Sequence, residues 1–162
     1  MACDSYMVQL TLDGMPATER LARVLARELR KGDFIALAGA LGAGKTTLAR
    51  LIVQTLSPGE DVPSPTFTLV QSYEAAGLRL AHADLYRIKS SREVGELGFD
   101  EALDAGVLVV EWPDRMGPLM PDDRLDIILE VDDGTDERRV KIIGRGAWAP
   151  RLRALFRAGG LS

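Results

Sequence analysis

The chain has 162 residues, 46% hydrophobic and 27% charged, with 20 basic residues, 24 acidic residues and a formal net charge of −4. That length suggests one domain over 1–162 with a real core, and no apolar run reaches the 18 residues of a transmembrane helix. The single cysteine, Cys3, cannot form an internal disulfide or a metal site alone, and the N-terminus lacks a signal pattern, so a cytoplasmic protein with no membrane contact is expected.

Tyr6, Val8, Leu10 and Leu12 alternate with polar or exposed positions and predict a half-buried strand, ended by Asp13-Gly14 and Pro16. Thr18 to Arg30 reads as a helix, with Leu21, Val24, Leu25 and Leu29 on one face and Thr18 as its candidate N-cap. Lys31-Gly32-Asp33 turns the chain into a buried strand, Phe34 to Ala38.

The next eight residues organise the rest. Gly39-Ala40-Leu41-Gly42-Ala43-Gly44-Lys45-Thr46 matches G-x-x-x-x-G-K-[ST], the P-loop pattern. The glycines let backbone N–H groups wrap around phosphate oxygens. Lys45 supplies a charge for the β- and γ-phosphates, and the Thr46 hydroxyl is placed to ligate Mg²⁺. Lys45 to Leu56 reads as a helix whose N-terminal dipole favours the same phosphates. Strand, glycine loop and helix in that order is the expected context.

Ser57-Pro58-Gly59 breaks that helix, and Pro63 to Thr68 is a loop stiffened by its prolines. Thr66 and Thr68 on it are positioned to sense a γ-phosphate, or are there for β-propensity alone. Leu69 to Tyr73 and Leu78 to His82 predict a hairpin around Ala76-Gly77. Asp84 follows at a strand end, either near the metal and orienting the attacking water or as a turn residue. His82 is the only histidine and reads as a structural support. Ser90 and Glu93 form a candidate capping box for a short helix, and a second short helix runs from Gly98 to before Gly106.

Val107 to Val110 is a continuous apolar run, the pattern of a strand buried on both faces, and it delivers Glu111 at its C-terminal end. A P-loop NTPase needs a carboxylate there to hold Mg²⁺ directly or through water. Leu125 to Val131 and Arg138 to Ile143 predict two strands joined by Asp132-Asp133-Gly134, and Trp148 to Phe156 a basic amphipathic helix, at about 148–157. Residues 138–162 hold seven basic residues and no acids, leaving 13 basic against 24 acidic residues before them, a net −11. Such a tail either contacts an acidic partner or RNA, or is a solvated face.

The expected architecture is α/β, a three-layer sandwich of the P-loop NTPase type whose mixed sheet has parallel central strands and antiparallel hairpins. Its ligand would sit outside the carboxyl ends of the strands. No Asn-Lys-x-Asp run favours guanine and no Leu-Ser-Gly-Gly signature points to a transporter ATPase, while a small-molecule kinase stays open.

Several motifs together resemble one family. After the P-loop come Ser64-Pro65-Thr66-Phe67-Thr68-Leu69-Val70, His82-Ala83-Asp84-Leu85-Tyr86-Arg87, Gly98-Phe99-Asp100-Glu101 and Val110-Glu111-Trp112-Pro113. This series resembles the TsaE (YjeE) family, bacterial ATPases of tRNA threonylcarbamoyladenosine biosynthesis. The resemblance implies ATP and Mg²⁺ as cofactors and the TsaB–TsaD complex as partner, with tRNA reached through that complex. It also implies that hydrolysis supports turnover of threonylcarbamoyl transfer. Carried over by motif, Gly42, Ala43, Gly44, Lys45, Thr46 and Thr47 hold the phosphates, Thr46 and Glu111 ligate Mg²⁺, Asp84 lies close by, and Thr18 and Arg138 border the adenine. One departure stands out: Ala40 occupies a P-loop position where the family usually has Asp, which implies slower hydrolysis or a use of Asp84 instead. A module gated by nucleotide binding, with incidental hydrolysis, is the alternative.

Overall fold

The computed structural model describes residues 4–65, 68–75, 77–132 and 134–159. Strand β1, Ser5–Asp13, buries Val8 and Leu12 and leaves Met7 exposed, as its alternation requires. Helix α1, Gly14–Glu28, begins four residues earlier than Thr18. Pro16 therefore sits in the first helical turn, where its missing N–H is not needed, and Asp13 rather than Thr18 is the N-cap. Thr18 lies inside the helix, buried, with its hydroxyl donating to the Gly14 carbonyl at 3.4 Å. The helix stops short of Arg30 because the Asp33 carboxylate accepts the Arg30 backbone N–H at 2.7 Å, which competes with a further helical turn.

Strand β2, Phe34–Gly39, is followed by helix α2, Lys45–Leu56. Strands β3, Val70–Ala75, and β4, Leu78–Asp84, form the expected hairpin, paired antiparallel from Val70↔Ala83 to Ala75↔Leu78. Ala76 at its turn and Asp133 at the later turn lie outside the described residues. Short helices α3, Ser91–Val94, and α4, Phe99–Ala105, lead to β5, Gly106–Glu111. The expected capping box at Ser90 does not form. The Ser90 carbonyl takes the Glu93 N–H at 3.2 Å, so its hydroxyl has no capping role, and the Glu93 carboxylate accepts from Lys89 N–H instead. A 3-10 segment, Pro113–Leu119, precedes β6, Arg124–Val131, β7, Glu137–Arg145, and helix α5, Trp148–Arg157.

The seven strands make one mixed sheet in the order β1-β7-β6-β2-β5-β4-β3. Strands β6, β2, β5 and β4 run parallel at its centre, and β7 and β3 run antiparallel to their neighbours. Alternation along β2 and β5 divides the interior in two. Ile35, Leu37, Val107 and Val109 pack with residues of α1, α2 and α5, whereas Phe34, Ala36, Leu108 and Val110 pack with Val94, Phe99 and Met116. Helices thus cover both faces of the central strands, the expected three layers. Among the described residues, no helix is long and apolar enough to cross a membrane.

The C-terminal helix is tied to the body by its arginines. Arg151 meets Asp33 with two N–H donors at 2.7 and 2.9 Å and stacks on Trp148. Arg139 pairs with Glu130 and Asp132, and Arg145 with Asp126. Three of the seven basic residues of the C-terminal stretch, Arg139, Arg145 and Arg151, are thus engaged in internal ion pairs.

Candidate functional site

Three adjacent parallel strands end at one edge of the sheet, and each delivers a piece of the site. β2 ends at Gly39, β5 at Glu111 and β4 at Asp84, with Leu37 opposite Glu111 and Asp84 opposite Glu111 in register. Backbone bonds hold these tips together: Leu85 N–H donates to the Glu111 carbonyl and Asp84 N–H to that of Leu69. A cleft of about 330 Å³ opens there, lined by residues that include Leu41, Gly42, Gly44, Lys45, Thr46, Thr47, Asp84, Glu111 and Arg138.

The loop from Gly39 to Gly44 needs its glycines for separate reasons. A Cβ on Gly39 would lie 2.5 Å from the Leu129 carbonyl oxygen, so the loop can leave the sheet this close to β6 only without a side chain. Gly44, with φ 108, is the left-handed N-cap of α2. Lys45, Thr46 and Thr47 open that helix, so their N–H groups fall in the first turn, where no intrahelical acceptor exists. Ala43 is buried; its carbonyl accepts Arg138 Nε–H at 2.9 Å, which ties the end of β7 to the loop.

The charges of the site are buried. Lys45 is 5% exposed, and its ammonium donates to the carbonyls of Gly39 at 2.5 Å and Ala40 at 3.3 Å. It also lies 3.7 Å from the centre of the Trp112 ring. Burial pushes Lys45 below its ordinary 10.5, opposed in turn by the nearby charges of Glu111, Asp84 and Asp114. Glu111 is 2% exposed and accepts a bond on each oxygen: Thr46 hydroxyl on Oε1 at 2.7 Å and His82 Nε2 on Oε2 at 2.7 Å. Asp84 Oδ1 accepts from Tyr86 N–H at 2.9 Å.

The structure therefore gathers Gly42, Ala43, Gly44, Lys45, Thr46, Thr47, Asp84, Glu111 and Arg138 around one cleft. Thr18 is not among the lining residues; it is buried within α1. Thr66 lies outside the described residues, and the Thr68 hydroxyl accepts from Gln71 Nε2 at 2.9 Å. Sequence adjacency already put Trp112 beside Glu111, but Tyr86, whose ring stands 5.1 Å from that of Trp112, was not foreseen. Its only signal was closeness in sequence to Asp84. Sequence reasoning also left His82 without a partner, because nothing in a single sequence aligns His82 with Glu111.

The Thr46 hydroxyl and Glu111 carboxylate are hard oxygen donors that meet at 2.7 Å in the lining of the cleft. Among the described residues, no group of three or more His, Cys, Asp or Glu side chains forms a metal cage. A divalent ion that keeps waters and takes phosphate oxygens needs only one or two protein ligands, and the pair fits it.

Comparison with known proteins gives a consistent result. The family profile described as "Threonylcarbamoyl adenosine biosynthesis protein TsaE" matches residues 12–140. A tRNA threonylcarbamoyladenosine biosynthesis protein TsaE from Rickettsia conorii is 40% identical over 125 residues, covering 76% of this chain and 71% of that protein. The protein of the same name from Bacillus subtilis is 36% identical over 130 residues, 80% of each chain. A crystal structure of Bacillus subtilis YdiB superposes with a TM-score of 0.81 at 28% identity, covering 96% of this chain and 98% of that one.

Proposed function

The chain belongs to the TsaE family of tRNA threonylcarbamoyladenosine biosynthesis, and from that membership we propose that it is a Mg²⁺-dependent ATPase whose hydrolysis supports the TsaB–TsaD complex. The observation that carries this reading is the approach of Thr46 and Glu111 to 2.7 Å beside a P-loop whose lysine is already buried at the cleft. In this reading the first-turn N–H groups of α2 and the loop N–H groups bind the phosphates. Lys45 leaves its two carbonyl partners to meet the β- and γ-phosphates. Thr46 and Glu111 would hold Mg²⁺, whose charge would offset that of the phosphate oxygens. Asp84 orients the attacking water, Arg138 borders the nucleotide from the far side of the loop, and Thr18 contributes to the adenine side through α1. Thr66 senses the γ-phosphate. The protein works in the cytoplasm and meets tRNA through its partner complex.

A second reading, in which ATP binding itself sets the state of the partner and hydrolysis is incidental, draws support from Ala40, which leaves that P-loop position without a carboxylate. Phosphate release from ATP by the purified chain, alone and with TsaB–TsaD, tests the first reading. Release that requires Mg²⁺ and rises with the complex supports it. No release, with the complex still binding the ATP form more tightly than the ADP form, supports the second. Transfer of labelled phosphate to a small acceptor would instead identify a kinase.

A further inference from the structure

We propose that His82 is a positioning residue for Glu111, holding one carboxylate oxygen from beneath so that the other is presented to Thr46 and to the metal. The proposal rests on the reading of Glu111 as the metal carboxylate. His82 sits on β4 two residues before Asp84: it pairs with Val109, while Asp84 pairs with Glu111. Its ring is completely buried, and its Nε2 lies 2.7 Å from Glu111 Oε2.

The chemistry of the contact fixes the direction of the bond. An ionised carboxylate only accepts, so Nε2 carries the proton and donates. Nδ1 is buried with no hydrogen-bond partner among the described residues. The ring thus presents an Nε2–H to Glu111.

Such a contact answers a physical problem. A carboxylate 2% exposed to water needs its lone pairs engaged, and it also needs a defined rotation about its last bond. Thr46 and His82 take one oxygen each. If Oε1 turns from the Thr46 hydroxyl to an ion, the Oε2 bond to His82 still fixes the plane of the group. Outer partners of this kind orient metal ligands in many proteins, and their loss costs about 10–100-fold in metal affinity.

Two measurements test the proposal. The chain has one histidine, so labelling histidine rings with ¹⁵N yields a single pair of nitrogen signals. In the nucleotide-free protein these are expected to show a proton on Nε2 and to shift in the Glu111→Gln variant. A proton on Nδ1 alone, or signals indifferent to that variant, would overturn the contact. For the second, His82→Phe and His82→Gln are saturated with ATP, and Mg²⁺ is titrated while tryptophan fluorescence is followed. The phenylalanine variant should raise the half-saturating Mg²⁺ concentration about 10–100-fold, with ATP affinity in EDTA unchanged. The glutamine variant, whose side-chain amide restores a donor near Nε2, should recover part of the loss. Wild-type Mg²⁺ dependence in the phenylalanine variant would refute the positioning role. Failure of the wild-type protein to bind ATP at all would instead defeat the functional reading, and the ring signals would then decide the His82–Glu111 contact by themselves.

Discussion

Asp33 and Gly39 bracket β2, and the buried charges at its two ends are put together differently. Before the strand, Asp33 and Arg151 form a closed pair: both carboxylate oxygens are engaged by the guanidinium, and Asp33 Oδ2 also takes the Arg30 N–H. Arg151 donates further to the Glu28 carbonyl and stacks on Trp148. After the strand, Lys45 has only two backbone carbonyls and an aromatic ring, with three carboxylates nearby but no ion pair of its own among the described residues. The first cluster pairs its two charges with each other and fastens α5 to the sheet. The second keeps its charged groups around an open cleft. Burial of charge alone does not mark a site; buried charge that lines a cavity without a closed ion pair is the better marker.

Arg151→Ala should give the largest effect. It leaves Asp33 buried without its cation, and the expected loss is about 3 kcal/mol of stability, the low end for a broken buried pair because Arg151 keeps 14% side-chain exposure. Urea unfolding measures it, and ATP affinity should not change. Lys45→Ala should do the opposite. Loss of a charged donor to phosphate weakens ATP binding by about 1.5–3 kcal/mol, roughly 10- to 100-fold, while the urea midpoint is maintained. A calorimetric titration beside the unfolding curve separates the two ends of β2. If Lys45→Ala destabilised the fold as much as Arg151→Ala, the contrast would collapse.

The two tryptophans report the same contrast on a smaller scale. Trp112 stands over Lys45 and Trp148 under Arg151. Emission should change on addition of ATP and Mg²⁺ in the Trp148→Phe variant and stay flat in Trp112→Phe. The reverse pattern would put the ligand at the wrong end of the sheet.

A pH dependence gives the smallest effect. Burial holds the folded Lys45 below its ordinary 10.5, so between the lowered value and 10.5 the unfolded chain binds a proton that the folded chain has released. Stability of the nucleotide-free protein should therefore rise with pH across that window. Lys45→Met should lack that part of the rise when urea midpoints of the two proteins are compared.

These two ends differed in how much the sequence revealed. The P-loop was legible because its chemistry is local: eight consecutive residues carry the turn, the charge and the hydroxyl. Glu111 was legible because Val107 to Val110 announce a buried strand and fix where it ends. The parallel centre and antiparallel margins followed from the same runs. Illegible were contacts between distant segments, such as His82 with Glu111, Arg138 with Ala43 and Arg151 with Asp33, since pairing across the sheet leaves no periodicity in one chain. The start of α1 was misjudged because Pro16 stops a strand and also suits a first helical turn, and only the fold chooses between those uses.

Replacement of Glu111 by Gln tests the central claim most directly, that the open cluster at the end of β2 works through a metal-binding carboxylate. Gln keeps the size of the side chain and removes its charge. Phosphate release from ATP is measured with Mg²⁺ and TsaB–TsaD present, with ATP affinity in EDTA as the control. The expected result is turnover below about a hundredth of wild type, since even outer partners of such a ligand cost about 10–100-fold, together with largely preserved affinity in EDTA. Normal turnover by Glu111→Gln would contradict the claim.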